Sequence, residues 1–199
     1  MKRLLLVRHG ESTWNADGRW QGQADPPLSE LGKRQAVAAA PAVAALGVDV
    51  VVSSSLERAR RTAELLAPGG IDVTVESDLR ERNAGEWTGL TRVEIEERFP
   101  GSLAARRSPP GFEDDDALLA RVLPALDRLL ARLPAEGVAL VVTHGGVIGT
   151  YERHRGERSA PIPNLGGRWL QGGDGELVLG DRALLISPED AEVTIPGQI

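Results

Sequence analysis

Arg8-His9-Gly10-Glu11 and Thr143-His144-Gly145-Gly146 each place an imidazole directly after an apolar run and directly before a glycine. An imidazole exchanges protons near neutral pH, a guanidinium holds anions, and a glycine lets backbone approach a ligand closely. A lone histidine after a strand is more often a structural hydrogen-bonding residue than a catalytic one. Of the three histidines in this chain, however, His9 and His144 share the same setting, whereas His154 sits among charges. A third apolar run, Val50-Val51-Val52, ends in Ser53-Ser54-Ser55, with Arg58 close behind.

These residues need elements to position them. Leu4–Val7, Val50–Val52 and Leu140–Val142 are short continuous apolar runs, which read as strands buried on both faces of a parallel sheet. Ligands of open α/β sheets bind beyond the carboxyl ends of such strands, so three strand ends of one polarity suggest one shared site. Ser29 reads as the N-cap of a helix reaching Leu46, with Pro41 expected to kink or break it. Leu56–Leu66 has apolar positions at helical spacing and stops before Pro68-Gly69-Gly70. Asp114-Asp115-Asp116 opens a second amphipathic stretch, Ala117–Leu133. That acidic run reads as the start of a helix, where it meets the positive end of the dipole, rather than as a metal site.

Strands alternating with helices over short connections imply a parallel-sheet α/β domain. Residues 78–113, with Pro100-Gly101 and Ser108-Pro109-Pro110-Gly111, break this rhythm and read as a helical insertion over the sheet's edge, where a lid would sit. Glu176–Leu179 and Ala183–Ile186 read as a closing hairpin turning near Gly180-Asp181, and Ile195–Ile199 as a loose end.

At 199 residues the chain is long enough for one domain to bury a core without metals or disulfides. It has no cysteine, which excludes disulfides, thiol nucleophiles and thiolate metal sites and fits a reducing cytoplasm. The net charge of −6 argues against general affinity for nucleic acid or an anionic membrane. The first apolar run is too short for a signal peptide or a membrane span. Trp14, Trp20 and Trp87 lie near polar motifs, where packing is the plain reading.

The stretch Leu6-Val7-Arg8-His9-Gly10-Glu11-Ser12-Thr13-Trp14-Asn15 resembles the signature of the histidine phosphatase superfamily, the phosphoglycerate-mutase-like proteins. The likeness continues through Gly18–Asp25, Pro27–Gly32, Ser53–Ala59 with Thr62-Ala63, Leu79–Leu90 and Thr143–Ile148, in family order. It implies a phosphoglycerate mutase-like three-layer sandwich over residues 1–199, with a mostly parallel sheet between helices and a small helical lid at about 78–113. By the same resemblance His9 would attack phosphorus and carry a phosphohistidine. Arg8 and Arg58 would clamp the phosphoryl oxygens, His144 would add a donor from the opposite side, and Asn15 a further polar contact. Glu81 would be the general acid, with Glu86 as a neighbour able to take that role. Gln21 and Gly22 would line the leaving-group side, and Gly145 would let backbone close on the ligand.

The chain departs from the family at Gly111-Phe112-Glu113-Asp114, where many relatives carry Gly-Gly-Glu-Ser, and in the charged segment Tyr151–Arg158, which reads as an exposed helix face. Arg58 amid Arg60 and Arg61 has a solvated-charge reading of its own. Glu11 reads as structural, orienting a neighbour. The implied activity is a phosphomonoesterase acting on a small phosphorylated metabolite with neither metal nor cofactor. The alternatives are a cofactor-dependent phosphoglycerate mutase, which Arg106-Arg107-Ser108-Pro109-Pro110 faintly resembles, and a non-catalytic phospholigand binder. A homodimer is compatible with the sequence, which carries no coiled-coil or other interface signature.

Overall fold

The computed structural model describes residues 1–158, 160–173, 176–187, 189 and 191–195. Six strands form one sheet: β1 (Lys2–Arg8), β2 (Val50–Ser54), β3 (Val73–Glu76), β4 (Val138–Thr143), β5 (Gly166–Gly173) and β6 (Glu176–Leu184). Their order is β3-β2-β4-β1-β5-β6. The pairs β3/β2, β2/β4 and β4/β1 are parallel, and β5 alone opposes the common direction. The sheet is therefore mixed, and mostly parallel as expected.

Alternation along β1 explains why Leu4–Val7 is apolar without a break. Leu4 and Leu6 enter a core with Leu118, Val122 and Leu126 of helix α5 (Asp115–Arg132) and Val147 and Ile148 of helix α6 (Gly145–His154). Leu5 and Val7 enter the opposite core with Ala39 and Val43 of α2 (Glu30–Ala45) and Ala59, Ala63 and Leu66 of α3 (Glu57–Leu66). Each wholly buried aliphatic side chain here contributes about 1.5–3 kcal/mol, so both helical layers hold the central strand in register. A third, smaller cluster joins Trp87, Leu90 and Ile95 to Trp20, Phe99 and Phe112, around α4 (Arg92–Arg98).

The helix starts follow the capping chemistry: Ser29 accepts from the Gly32 N–H and Asp114 from the Ala117 N–H. Glu11 accepts from the Ser29 hydroxyl at 2.7 Å and so steadies that cap, the structural part expected of it. Three expectations are corrected. Pro41 does not end α2: it and Val37, whose carbonyl it deprives of its helical donor, lie on the exposed side, open to solvent. The closing hairpin is β5 with β6, in which Glu176–Leu184 is one strand paired to Gly166–Gly173. Tyr151 and Glu152 are buried rather than on an exposed face, and Glu152 is held by Arg182 at 2.6 and 3.0 Å. Of the expected loose end, Pro196–Ile199 lies outside the described residues.

Register places the chemistry. Arg8 pairs with Thr143 across β1 and β4, so His9 and His144 leave the sheet side by side. β2 ends on the other flank of β4, with Ser53 level with Val142. The chain after β3 then runs across these strand ends, fixed there by the Thr143 hydroxyl donating to the Leu79 carbonyl at 2.8 Å. No helix of the described residues is long and apolar enough to cross a membrane.

Candidate active site

His9 is 2% exposed and its protonation pattern is set by its neighbours. Its Nδ1–H donates to the Gly10 carbonyl at 2.6 Å, while Nε2 accepts from Arg58 Nε at 3.2 Å. The proton therefore sits on Nδ1, and the Nε2 lone pair faces the arginine. Burial, then Arg58 and Arg8, hold the imidazole pKa well below its ordinary value, so His9 is neutral at neutral pH. Its carbonyl accepts from the buried Asn164 side chain at 2.8 Å, and the Leu165 N–H bonds Arg8's carbonyl at 3.1 Å.

Arg58 opens α3 and is wholly buried, which excludes the solvated-charge reading. Its Nη1 donates to the Ala24 carbonyl at 2.7 Å and its Nη2 to the Gly22 carbonyl at 2.9 Å. Arg8 donates through Nη1 to the Ile162 carbonyl at 2.7 Å. Burial lowers both guanidinium pKa values to about 10, with Glu81 opposing the shift, so both stay charged at neutral pH. Thr62 ties the two motifs together, accepting from the Gly10 N–H at 3.0 Å and donating to the Arg58 carbonyl at 2.7 Å.

His144 lies with its ring centroid 5.2 Å from that of His9. Its Nε2 is 2.8 Å from Ser54 Oγ, which also accepts from the Leu56 N–H. Donation by the Ser54 hydroxyl to Nε2 is the arrangement that places the ring proton on Nδ1. That Nδ1 is buried with no hydrogen-bond partner among the described residues, as is Arg8 Nε. Two such donors beside a neutral imidazole are costly unless an anion takes them up.

Arg8, His9, Gln21, Gly22, Arg58, Glu81 and Gly145 line one cavity of about 710 Å³. Gln21 is braced by the Ser12 hydroxyl, which donates to its Oε1 at 2.7 Å. Asn15 does not line this cavity. In the short helix α1 (Thr13–Ala16) its Oδ1 accepts from the Ser12 N–H at 3.2 Å, the reciprocal half of a capping box. Glu81 accepts through Oε1 from the Arg82 N–H at 2.7 Å and through Oε2 from the Gly146 N–H at 3.0 Å. Glu86, the other acid considered, is not on the cavity wall.

Several residues on or behind the cavity wall had no site role in the sequence reading. Arg121 of α5 donates to the carbonyls of Asp78 and Arg80 at 2.7 Å and of Glu81 at 3.1 Å, and pairs with Glu113. It thereby holds the loop that carries Glu81, although its sequence signal is only that of an amphipathic helix. At the outer rim Asp115 receives Arg82 and Arg153, which share the Thr150 hydroxyl at 2.7 and 2.8 Å. Burial alone would raise the Asp115 pKa, but hydrogen bonds from the two arginines lower it. Phe112 packs under Arg82 at 5.1 Å, and Arg106 joins the rim with a left-handed φ of 51°. Asp115 was legible only as a helix start, and Arg153 only as part of a charged segment.

A neutral ring nitrogen at parallel strand ends, its lone pair turned to one of two buried guanidiniums, suits an α/β enzyme that passes a phosphoryl group through histidine. The chain belongs to the histidine phosphatase superfamily, whose branch 1 model matches residues 4–160. It is 35% identical over 202 residues to a glucosyl-3-phosphoglycerate phosphatase of Mycobacterium tuberculosis, covering 89% of this chain and 91% of that one. It is 41% identical over 158 residues to a metal-independent phosphoserine phosphatase of Arabidopsis thaliana, covering 73% and 65%. Among solved structures, a mycobacterial glucosyl-3-phosphoglycerate phosphatase in complex with VO3 superposes with a TM-score of 0.83 at 33% identity, covering 90% of this chain and 98% of that one.

Proposed function

We propose that the protein is a metal-independent phosphomonoesterase that hydrolyses a small phosphorylated metabolite through a phosphohistidine on His9. The observation that carries this reading is the state of His9: neutral, protonated on Nδ1, with Nε2 turned to Arg58. The Nε2 lone pair forms the bond to phosphorus while the ester P–O bond breaks, and the departing oxygen takes a proton from the Glu81 carboxyl. Arg8 and Arg58 carry the charge that spreads over the phosphoryl oxygens, and His144 Nδ1–H donates to one of them. Water then attacks phosphorus, Glu81 takes its proton, and the P–N bond electrons return to Nε2 as phosphate leaves.

The relatives support a substrate of the phosphoglycerate-derivative or phosphoamino acid kind, and a cytoplasmic location is the one we propose, with which a chain free of cysteine is compatible. Phosphate release from a panel of such esters, in EDTA, tests the reading. Wild type should release phosphate and His9→Ala should not. Release that EDTA abolishes, or that His9→Ala retains, overturns it. A mutase is the second reading, favoured by Arg106 standing on the cavity rim and by 39% identity over 156 residues to a probable phosphoglycerate mutase of Cronobacter sakazakii. Phosphoglycerate interconversion outpacing phosphate release would select it.

A further inference from the structure

Gly145 and Gly146 open α6 side by side, yet they face different partners. A Cβ on Gly146 would stand 2.2 Å from Glu81 Oε1 and 2.9 Å from Glu81 Cδ, far inside contact distance. The Gly146 N–H meanwhile donates to Glu81 Oε2 at 3.0 Å. A Cβ on Gly145 would instead meet Arg8, at 3.2 Å from Nη1 and 3.3 Å from Cζ. One glycine therefore leans on the acid and the other on the phosphoryl clamp.

We infer that Gly146 is the positioning residue of the general acid: its N–H holds one carboxyl oxygen of Glu81, and its bare Cα leaves the room in which that carboxyl sits. A Cβ at 146 meets the Glu81 carboxyl before any other group, so that carboxyl must shift to admit it. This rests on the phosphatase reading with Glu81 as the proton donor. It yields a signature that loss of packing alone does not. An alkyl phosphate expels a strongly basic alkoxide and needs the acid's proton, whereas 4-nitrophenyl phosphate expels a weakly basic phenolate and needs it far less.

The test compares kcat/KM, which reports the step up to phosphohistidine formation, for 4-nitrophenyl phosphate and for the alkyl phosphate turned over fastest in the panel. Gly146→Ala should lower the alkyl ester's value by about tenfold or more beyond any effect on the nitrophenyl ester. Gly145→Ala, which presses on Arg8, should lower both alike. In a Glu81→Gln background Gly146→Ala should add no further selective loss, because the proton it positions is gone. Equal losses on both esters from Gly146→Ala, or a selective loss that persists in Glu81→Gln, overturn the assignment. If Gly146→Ala does not fold alone, the Glu81→Asp background, whose shorter acid clears the added methyl, carries the test. There Gly146→Ala must leave the ester ratio of Glu81→Asp as it is, and a further selective loss overturns the assignment. Failure of the phosphatase reading itself is separate, since it shows as turnover by His9→Ala.

Discussion

Arg58 and Arg153 stand on the wall of the same cavity, but they are held in different ways. Arg58 is wholly buried and bound to the carbonyls of Ala24 and Gly22 and to His9. Arg153 is about half exposed and bound to the side chains of Asp115 and Thr150. Arg82 stands between the two: it shares Asp115 and Thr150 with Arg153 but also donates to the Glu113 carbonyl, whereas Arg8 is fixed to the Ile162 carbonyl. Inner groups tied to backbone have their geometry set by the fold, before any substrate arrives. Rim groups tied to one another re-pair at little cost, because partly exposed ion pairs are worth little and have water as an alternative partner. We propose that transition-state stabilisation belongs to the inner set and choice of leaving group to the rim.

Four substitutions or conditions sharpen or break that contrast. The largest effect is expected at Arg58. Arg58→Ala should lower kcat/KM by roughly 10²–10³, and Arg58→Lys should recover little of it, since an ammonium cannot keep the fork of bonds to Ala24, Gly22 and His9. Recovery by lysine would mean that charge alone matters there. Next comes Arg121, whose hydrogen bonds among the described residues go to the 78–81 loop and Glu113. Arg121→Ala should cost about tenfold or more on alkyl esters and less on 4-nitrophenyl phosphate, measured as kcat/KM. At the rim, Arg153→Ala should raise KM by roughly tenfold or less while kcat moves little, the pattern of lost uniform binding. A kcat collapse there would contradict the division between the two halves.

The smallest effect is on stability. Burial keeps His9 and His144 neutral in the folded chain, with pKa values well below the ordinary 6.5. As pH falls below that ordinary value the unfolded chain takes up protons that the folded one refuses, so stability present above it is progressively lost. Melting temperature should therefore drop between pH 7.5 and 5.5, and drop less in His144→Gln. An equal slope in the two proteins would mean that the buried imidazole at 144 is not a source of the pH dependence.

Sequence carried the inner half of the site far better than the rim. His9, His144 and Arg58 follow apolar runs whose burial on both faces is a local pattern, and parallel register then brings them together without further information. Ser29 and Asp114 were equally legible, because capping is a short-range bond. Asp115, Arg82 and Arg153 meet through three separate segments, so no spacing along the chain announces them. β5 was missed because glycine is a poor strand former, and Gly166-Gly167 and Gly172-Gly173 bracket its few apolar residues. Gly167 is needed within the strand, since a Cβ there would stand 2.1 Å from the Leu6 carbonyl oxygen. Asn15 illustrates the reverse: its motif is plain, and in this structure its side chain caps α1.

The central claim is that phosphorus is bonded to His9 Nε2 between the two half-reactions. A rapid alkaline quench during turnover, which preserves a P–N bond that acid destroys, followed by peptide mass analysis, tests it directly. The account predicts one phosphoryl group on the peptide containing His9, none after an acid quench, and none in His9→Ala. A phosphoryl group on another residue, or phosphate release by His9→Ala at the wild-type rate, would contradict it.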